Sequence, residues 1–367
     1  MKQKIVFVGL SGGVDSAVSA ALLKERGFDV VGVFIKTWHP EFLECNEEAE
    51  RRDAMRVAAH LDIPFLTFDL EKVYKKGVGD YMIREYRAGR TPNPDVRCNK
   101  EVKFGAFLKK AISMGADAVA TGHYAKAEQV KQNRVRVGAR LRVKRRELAL
   151  PVELLRSKDP EKDQSYFLWT LTQKELSKII FPIGHLKKSE VRKLAKKFGL
   201  PVAEKKDSQG ICFLGEVDLK KFLKHYIREK KGKIIDEKGE EIGHHNGVTF
   251  YTLGERRGFT ITKKSPNDKP YYIVAKDIKK NILVVSHNPR AISREVPREL
   301  TIEKTNWISD VPQENKDYTA QVRYHGELLP CRVKKNQVIF DKPILVAPGQ
   351  SVVLYDGPLC LGGGVVV

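Results

Sequence analysis

The chain has 367 residues, 41% hydrophobic and 31% charged, which excludes a disordered tail and leaves room for two or three cored domains. No apolar run reaches the roughly 18–20 residues a membrane span needs, and no small-residue cleavage site follows the short apolar stretch at 5–8, so a cytoplasmic location is expected. Lys and Arg number 67 against 46 Asp and Glu, a net charge of +21 that suits either a nucleic acid or a lysine-rich solvated surface.

In chain order, residues 4–10 form a short β-rich run, and residues 17–26 repeat their apolar positions at helical spacing until Gly27. Residues 30–35 predict a second strand, 47–61 an amphipathic helix and 64–68 a third strand. A helix over 74–87, a loop with two prolines over 89–99, a helix over 102–114 and a buried strand over 118–121 follow. This alternation predicts a parallel sheet with helices on both faces, with ligands at the carboxyl ends of its strands. The basic stretch 126–146 interrupts it as a hairpin or an arm. Ser189 signals the cap of a helix over 189–198, Gly199 its stop and Pro201 its end, and a further helix is expected over 219–227. Beyond about residue 232, short β-rich runs (247–253, 271–275, 281–286, 318–322, 337–340, 350–355) predict small antiparallel sheets or a barrel. The expected domains are 1–220, 221–286 and 287–367.

Between the first strand and the first helix stand Gly9, Leu10, Ser11, Gly12, Gly13, Val14, Asp15 and Ser16. Two glycines let backbone approach a phosphate, the helix N-terminus supplies positive potential, and two serines add hydroxyls. Asp15 is too acidic to meet phosphate directly but suits a Mg²⁺ held on pyrophosphate. The string is neither a Walker loop nor a GxGxxG loop. It resembles the SGGxDS loop of the ATP pyrophosphatases, which cleave ATP between its α and β phosphates and leave AMP on a substrate oxygen. That resemblance covers residues 1 to about 125 and leaves the product open.

Two cysteines stand in polar, turn-shaped settings. Cys98 follows Thr91-Pro92-Asn93-Pro94-Asp95-Val96-Arg97, where the prolines fix the backbone. A place at or near a helix N-terminus, with Arg97 and Lys100 close by, lowers a thiol pKa, and Asp95 is spaced to accept a proton. Cys212 lies in Asp207-Ser208-Gln209-Gly210-Ile211-Cys212-Phe213, after Lys205 and Lys206. Together they suggest sulfur chemistry, one cysteine carrying sulfur and the other releasing it. Cys45, Cys331 and Cys360 match no motif and are read as structural.

On GLSGGVDS, GRTPNPDVRCNKEVKFG, ATGHYA, KDQSYFLW, FPIGHLKKSEVR, DSQGICF, RYHG and APGQSVVLYDG, the chain resembles the bacterial tRNA-specific 2-thiouridylases along nearly its full length. The resemblance implies an α/β fold: a parallel-sheet, adenine-nucleotide α-hydrolase-like N-terminal domain, then small β-rich central and C-terminal β-barrel domains. It implies that Cys98 is the nucleophile, that Cys212 carries a persulfide and that Asp95 is a general acid/base. Asn93, Pro94 and Asp95 would approach the target base. Residues 9–16 with Ile35 and Gly122 would hold ATP with Mg²⁺. His123, Lys162, Asp163, Gln164, Arg323, Tyr324 and Gln350 would meet tRNA. The implied target is the wobble uridine of tRNAs for Lys, Glu and Gln, and the implied partners are tRNA and a persulfide carrier protein. Glu255 stands where the family pattern has glutamine, and the basic 126–151 segment is longer than usual. An iron–sulfur cluster on Cys98, Cys212 and Asp95 stays open. So do two alternatives: another adenylating tRNA modifier such as a lysidine synthetase, which needs no cysteine pair, and a nucleotide-dependent RNA-binding module without turnover.

Overall fold

Strands too apolar to face water on either side build the first sheet of the computed structural model, which describes residues 3–43, 46–130, 150–207, 219–263, 269–288, 298–314 and 316–367. β1 (Ile5–Gly9), β2 (Asp29–Lys36), β3 (Phe65–Asp69) and β4 (Ala118–Ala120) run parallel in the order β3-β2-β1-β4. Val6 and Val8 pack into the cluster that holds Ala17, Val18 and Val57, from α1 (Val14–Glu25) and α2 (Glu47–His60). Phe7, between them, joins the cluster on the opposite face with Phe68, Phe104 and Phe107. The strand order reverses direction between β1 and β4, so the crevice at their carboxyl ends is the switch point.

Two interrupted helices cover one face. α3 (Glu71–Tyr74) passes through a π-helical turn, Lys75–Gly79, into α4 (Asp80–Arg87). α5 (Pro94–Cys98) passes through a π-helical stretch, Asn99–Phe107, into α6 (Leu108–Ser113). The second helix therefore begins eight residues before the predicted 102. Pro94 is the reason: at the first helical position its missing N–H costs nothing, and the Asn93 carboxamide accepts the Val96 N–H at 3.2 Å as the cap.

The chain then leaves the sheet. β5 (Ala125–Gln129) and β6 (Val152–Arg156) form an antiparallel hairpin, which resolves the hairpin-or-arm choice at its base; residues 131–149 lie outside the described residues. After α7 (Gln173–Leu176), β7 (Ile179–Ile180) joins β4 in parallel. α8 (Lys188–Lys197) starts before the predicted Ser189, because the Glu190 carboxylate reaches back to the Lys187 N–H at 2.7 Å.

After α9 (Leu219–Lys224) the central sheet comprises β8 (Gly232–Ile235), β9 (Glu241–His245), β10 (Thr260–Ile261), β11 (Tyr272–Asp277) and β12 (Ile282–Ser286), ordered β10-β9-β8-β12-β11. β8 and β12 pair parallel, against the antiparallel expectation. The predicted strand 247–253 is a 3-10 turn, Val248–Phe250. Glu255 accepts Lys220 Nζ at 2.6 Å and the Thr252 N–H at 3.1 Å, and a neutral glutamine could not make that ion pair.

The last six strands, β13 (Glu299–Trp307), β14 (Tyr318–Gln321), β15 (Leu329–Lys334), β16 (Gln337–Phe340), β17 (Ser351–Asp356) and β18 (Leu359–Val366), run antiparallel as β13-β16-β15-β14-β17-β18, and β18 closes back on β13. The barrel encloses Leu300, Ile302, Val333, Phe340, Val352 and Leu354. Leu359 of β18 also pairs with Leu155 of β6, which stitches the hairpin onto the barrel wall. Cys331 is buried inside the barrel and Cys360 in the cluster between the barrel and the first domain, and burial pushes both thiols up to about 12; Cys45 lies outside the described residues. Among the described residues no helix is long and apolar enough to cross a membrane.

Lys276 of β11 docks the central sheet on the first domain, donating to the Gly89 carbonyl at 2.9 Å and the Tyr251 carbonyl at 2.6 Å. Burial pushes its amine down from 10.5 to about 8, with Glu255 opposing. Below about pH 8 folded and unfolded chains both hold the proton, and the burial cost is complete. Between about 8 and 10.5 the folded chain has released a proton that the unfolded chain still holds, so stability from this group rises with pH. Lys276→Met should lower stability by about 1–3 kcal/mol through two unpaired carbonyls. The gap to wild type should widen across that window. Melting temperatures of both proteins through it test this, and a constant gap would contradict it.

Candidate active site

The loop after β1 is shaped by close backbone contacts. Gly12 has φ +72°, and a Cβ there would stand 2.4 Å from the Glu50 carbonyl of α2. Ser16 Oγ donates to the Gly13 carbonyl at 3.0 Å and accepts the Ser11 N–H at 3.2 Å, so it holds the turn closed. Leu10, Gly12, Val14 and Ser16 are buried, whereas Gly9, Ser11, Gly13 and Asp15 keep exposed surface. The latter set is what a phosphate can reach. Gly122, in the loop after β4, touches the same turn: a Cβ there would meet Asp15 C and Ser16 N at 2.7 Å. Ile35 is buried in β2.

Asp15 does not point into empty solvent. Lys188, at the start of α8, donates to its two oxygens at 2.8 and 2.9 Å, and the Tyr124 hydroxyl donates at 2.8 Å. The same ammonium lies 2.8 Å from Asp207, which also takes Lys162 at 3.0 Å and Arg192 at 2.6 Å. Burial works against the Asp207 charge, but hydrogen bonds from Lys188 and Lys162 outweigh it and hold the carboxyl far below the usual carboxylate range. Burial, then the Asp15 carboxylate, pushes the Tyr124 phenol far up, so it stays a donor. Lys205 reaches Asp53 on α2 at 2.7 Å. A chain of alternating charges thus runs from the nucleotide loop to Asp207, the residue at which the Cys212 segment begins. Residues 208–218, Cys212 included, lie outside the described residues.

Cys98 is fully buried and ends α5, in its second turn and not at its N-terminus, so proximity to the helix N-terminus cannot activate it in the expected way. Asp95 lies three residues earlier on the same helical face. Tyr324 stands near it: burial, then the Asp163 and Asp95 carboxylates, push that phenol up to about 12. Asn99 donates to the Phe167 carbonyl at 3.3 Å, while its own buried Oδ1 has no hydrogen-bond partner. The loop before α5 is clamped from the barrel. The Thr91 N–H donates to the Pro348 carbonyl at 2.8 Å, and Gln350 Nε2 donates to the Thr91 carbonyl at 2.7 Å. Beyond Cys98, Phe104 packs on His123 and Phe107 approaches Gly9, so the same helix runs on to the nucleotide loop.

The residues expected to meet tRNA divide. Arg323 is exposed, and Tyr324 is half-buried against Phe167, ring centroids 4.4 Å apart. His123 is buried, hydrogen-bonded to Thr121 at 2.7 Å and packed on Phe104 and Phe181; burial, then Lys103, hold its imidazole neutral. Lys162 is engaged by Asp207. Asp163 accepts Arg156 at 2.7 Å and the Ser157 N–H at 3.1 Å. Gln164 accepts the Tyr124 N–H at 3.0 Å, and Gln350 is committed to Thr91. Asn93, Pro94 and Asp95 are half-buried in the cap and first turn of α5. Sequence reasoning assigned no role to Tyr124 or Lys188, although both lie inside the quoted strings.

Residues 4–216 match a family described as tRNA methyl transferase HUP domain, residues 220–287 its PRC-barrel domain and residues 297–366 an aminomethyltransferase beta-barrel domain. The tRNA-specific 2-thiouridylase MnmA of Streptococcus thermophilus is 45% identical over 373 residues, covering 98% of this chain and 94% of that one. Its counterpart from Geobacillus thermodenitrificans is 44% identical over 372 residues with the same coverage. The U34-tRNA thiolase NcsA from Methanococcus maripaludis, solved with its 4Fe-4S cluster, is 17% identical with a TM-score of 0.33 over 55% of this chain and 57% of that one, too remote to carry chemistry across.

Lys188 neutralises two carboxylates that would otherwise face each other. Lys188→Met should lower stability by about 1–2 kcal/mol, the pair being partly exposed. It should also cut ATP-to-AMP turnover by roughly 10²-fold, through misplacement of Asp15. Pyrophosphate release and thermal melting measure the two effects, and turnover at the wild-type rate would remove Lys188 from the site.

Proposed function

The chain belongs to the tRNA-specific 2-thiouridylase family and forms 2-thiouridine in tRNA, and from that premise we propose how its residues share the work. The observation that carries the proposal is the 45% identity across 98% of the chain, with both cysteine strings in place. The target is the wobble uridine of tRNAs for Lys, Glu and Gln. ATP lies with its phosphates over Ser11, Gly13 and the N-terminus of α1, where backbone N–H groups and the helix dipole meet the negative charge. Asp15, whose oxygens Lys188 and Tyr124 now hold, is the residue that would hold a Mg²⁺ brought with the nucleotide, and such an ion would supply charge neutralisation.

The uridine leaves the anticodon stack and enters beside Asn93, Pro94 and Asp95. Its O2 attacks the α-phosphate of ATP, and pyrophosphate departs. A persulfide on Cys212, loaded by a carrier protein, supplies sulfur to C2, directly or as hydrosulfide displaced by Cys98. AMP leaves with the original oxygen, Cys98 and Cys212 close a disulfide, and an external dithiol reduces it. Asp95, on the face of α5 that carries Cys98, holds the proton moved in these steps. Arg323 and Tyr324 meet the RNA from the barrel side. His123, Lys162, Asp163, Gln164 and Gln350 act on it through the loops that they hold. An iron–sulfur cluster would use Cys212, outside the described residues; among the described residues no group of three His, Cys, Asp or Glu side chains could hold a metal ion.

Cys212→Ser should lose the persulfide formed on incubation with a sulfur donor. Cys98→Ser should accept the persulfide and make no 2-thiouridine. Peptide mass mapping of the loaded variants, with nucleoside mass spectrometry of the tRNA, reads both. A persulfide found only on Cys98, or full thiolation by Cys98→Ser, would overturn the assignment.

A further inference from the structure

α5 has a second face. Asp95, Cys98 and Asn99 share one side, whereas Asn93, Val96, Arg97 and Lys100 share the other. That other side lines a cleft of about 290 Å³ between α4–α5 and the barrel. Its size is at the floor of the range for small-molecule sites, roughly 300–1,000 Å³, room for one nucleotide. Arg84, Arg97, Lys100 and Lys304 line it against one carboxylate, Glu85, which Arg90 already pairs at 2.6 Å. Arg97 is committed to Glu101 at 3.1 Å and to the Tyr81 ring, whereas Lys304 makes an exposed contact with Glu303 at 3.2 Å and its charge also reaches Glu85. Lys100 makes no ion pair among the described residues.

Two features mark the cleft as built. Thr170 is a wall residue 9% exposed, and its Oγ1 is buried with no hydrogen-bond partner. A buried hydroxyl without a partner is costly, so a ligand that reaches this wall of the cleft gains by pairing it. Lys304 sits in an irregularity of the β13–β18 ladder, between Glu303 and Asn306, with φ +51°. A lysine in left-handed backbone is strained, and bulges of this kind re-aim side chains.

We propose that this cleft is a phosphate site, filled in the enzyme–substrate complex by a backbone phosphate of the tRNA; the identity of that source rests on the tRNA reading above. Its cations supply the attraction, and the Thr170 hydroxyl supplies a directed donor. A phosphate held there fixes the RNA to the short helix that carries the nucleophile, from the side opposite the chemistry.

The test compares wild type, Thr170→Val and Lys304→Asn, the last chosen because asparagine tolerates left-handed backbone. Each is titrated with an anticodon stem-loop RNA over a salt series, and separately with inorganic phosphate. RNA affinity should fall about tenfold in each variant, the loss of one hydrogen bond to a charged group. Lys304→Asn should also flatten the log–log salt slope by about 0.7–0.9. Thr170→Val should melt at or above the wild-type temperature, since it removes an unpartnered hydroxyl, so weaker binding cannot be laid to misfolding. Should it unfold, surface-exposed Lys304 carries the test alone. Inorganic phosphate binding lost in the variants while RNA affinity stays at wild type would overturn the RNA source. Unchanged binding of both would overturn the site. Wild-type 2-thiouridine formation is assayed alongside. If it is absent while the variants still lose phosphate or RNA, the functional reading fails and the cleft stands.

Discussion

The backbone of Thr91 is where three parts of the chain meet, and the position of α5 depends on it. The residue is 8% exposed, and Pro92 and Pro94 on its C-terminal side have no N–H to offer. Buried peptide groups must be paired, so partners come from elsewhere. The barrel supplies the Pro348 carbonyl and the Gln350 carboxamide, and the central domain supplies Thr252, whose hydroxyl lies 3.1 Å from that of Thr91. Gly349 permits the approach: at φ +94° its missing side chain leaves the Thr91 carbonyl 2.9 Å from where a Cβ would be. The helix that holds Asp95 and Cys98 is therefore aimed by residues more than 150 positions later in the chain. The first domain alone would lack the groups that orient α5.

The two π-helical segments are the other half of that aim. A π turn widens the helix by one residue per turn and frequently accompanies function. Here the stretch that starts at Asn99 follows Cys98 directly, and the turn at Lys75–Gly79 packs against it. Their glycines are what lets them meet. A Cβ on Gly77 would stand 3.1 Å from the Glu101 side chain across the contact, whereas one on Gly105 would stand 2.7 Å from the Lys100 carbonyl of its own π stretch. Arg97 donates to the Gly77 carbonyl at 3.3 Å, which binds the helix of Cys98 to its neighbour.

The parallel sheet was legible because its strands are continuous apolar runs separated by helical periods, and the tight turn from β1 into α1 was legible because its glycines follow the first strand directly. β13 and β18 were not. β13 has only Leu300 and Ile302 in alternation before the polar run Glu303–Asn306, and β18 carries Gly362, Gly363 and Gly364, which look like a turn. Those glycines are needed because the neighbouring backbone lies within 2.0–2.2 Å of where Cβ atoms at 362 and 363 would be. Lys188 looks like any basic residue on an amphipathic helix, since its carboxylate partner lies 173 positions away. His123, Lys162, Asp163, Gln164 and Gln350 stand in strings that signal a site, yet sequence could not say whether each side chain turns toward a ligand or into the scaffold. The geometry of the described residues has most of them bracing the loops that form it.

The way the barrel closes also bears on how the chain is made. β18 pairs with β17, β13 and β6, and every one of those partners precedes it in the chain. During vectorial synthesis the earlier barrel strands emerge with unpaired edges, and the β5–β6 hairpin waits for a neighbour that has not yet been translated. Tyr166 and Trp169 likewise wait for Ser351, 185 and 182 positions on. Long-range pairings of this kind are slow and leave edges open to misassembly. Until residues 348–350 have emerged, the first domain has its barrel-facing side uncovered and the loop before α5 lacks the barrel groups that hold it.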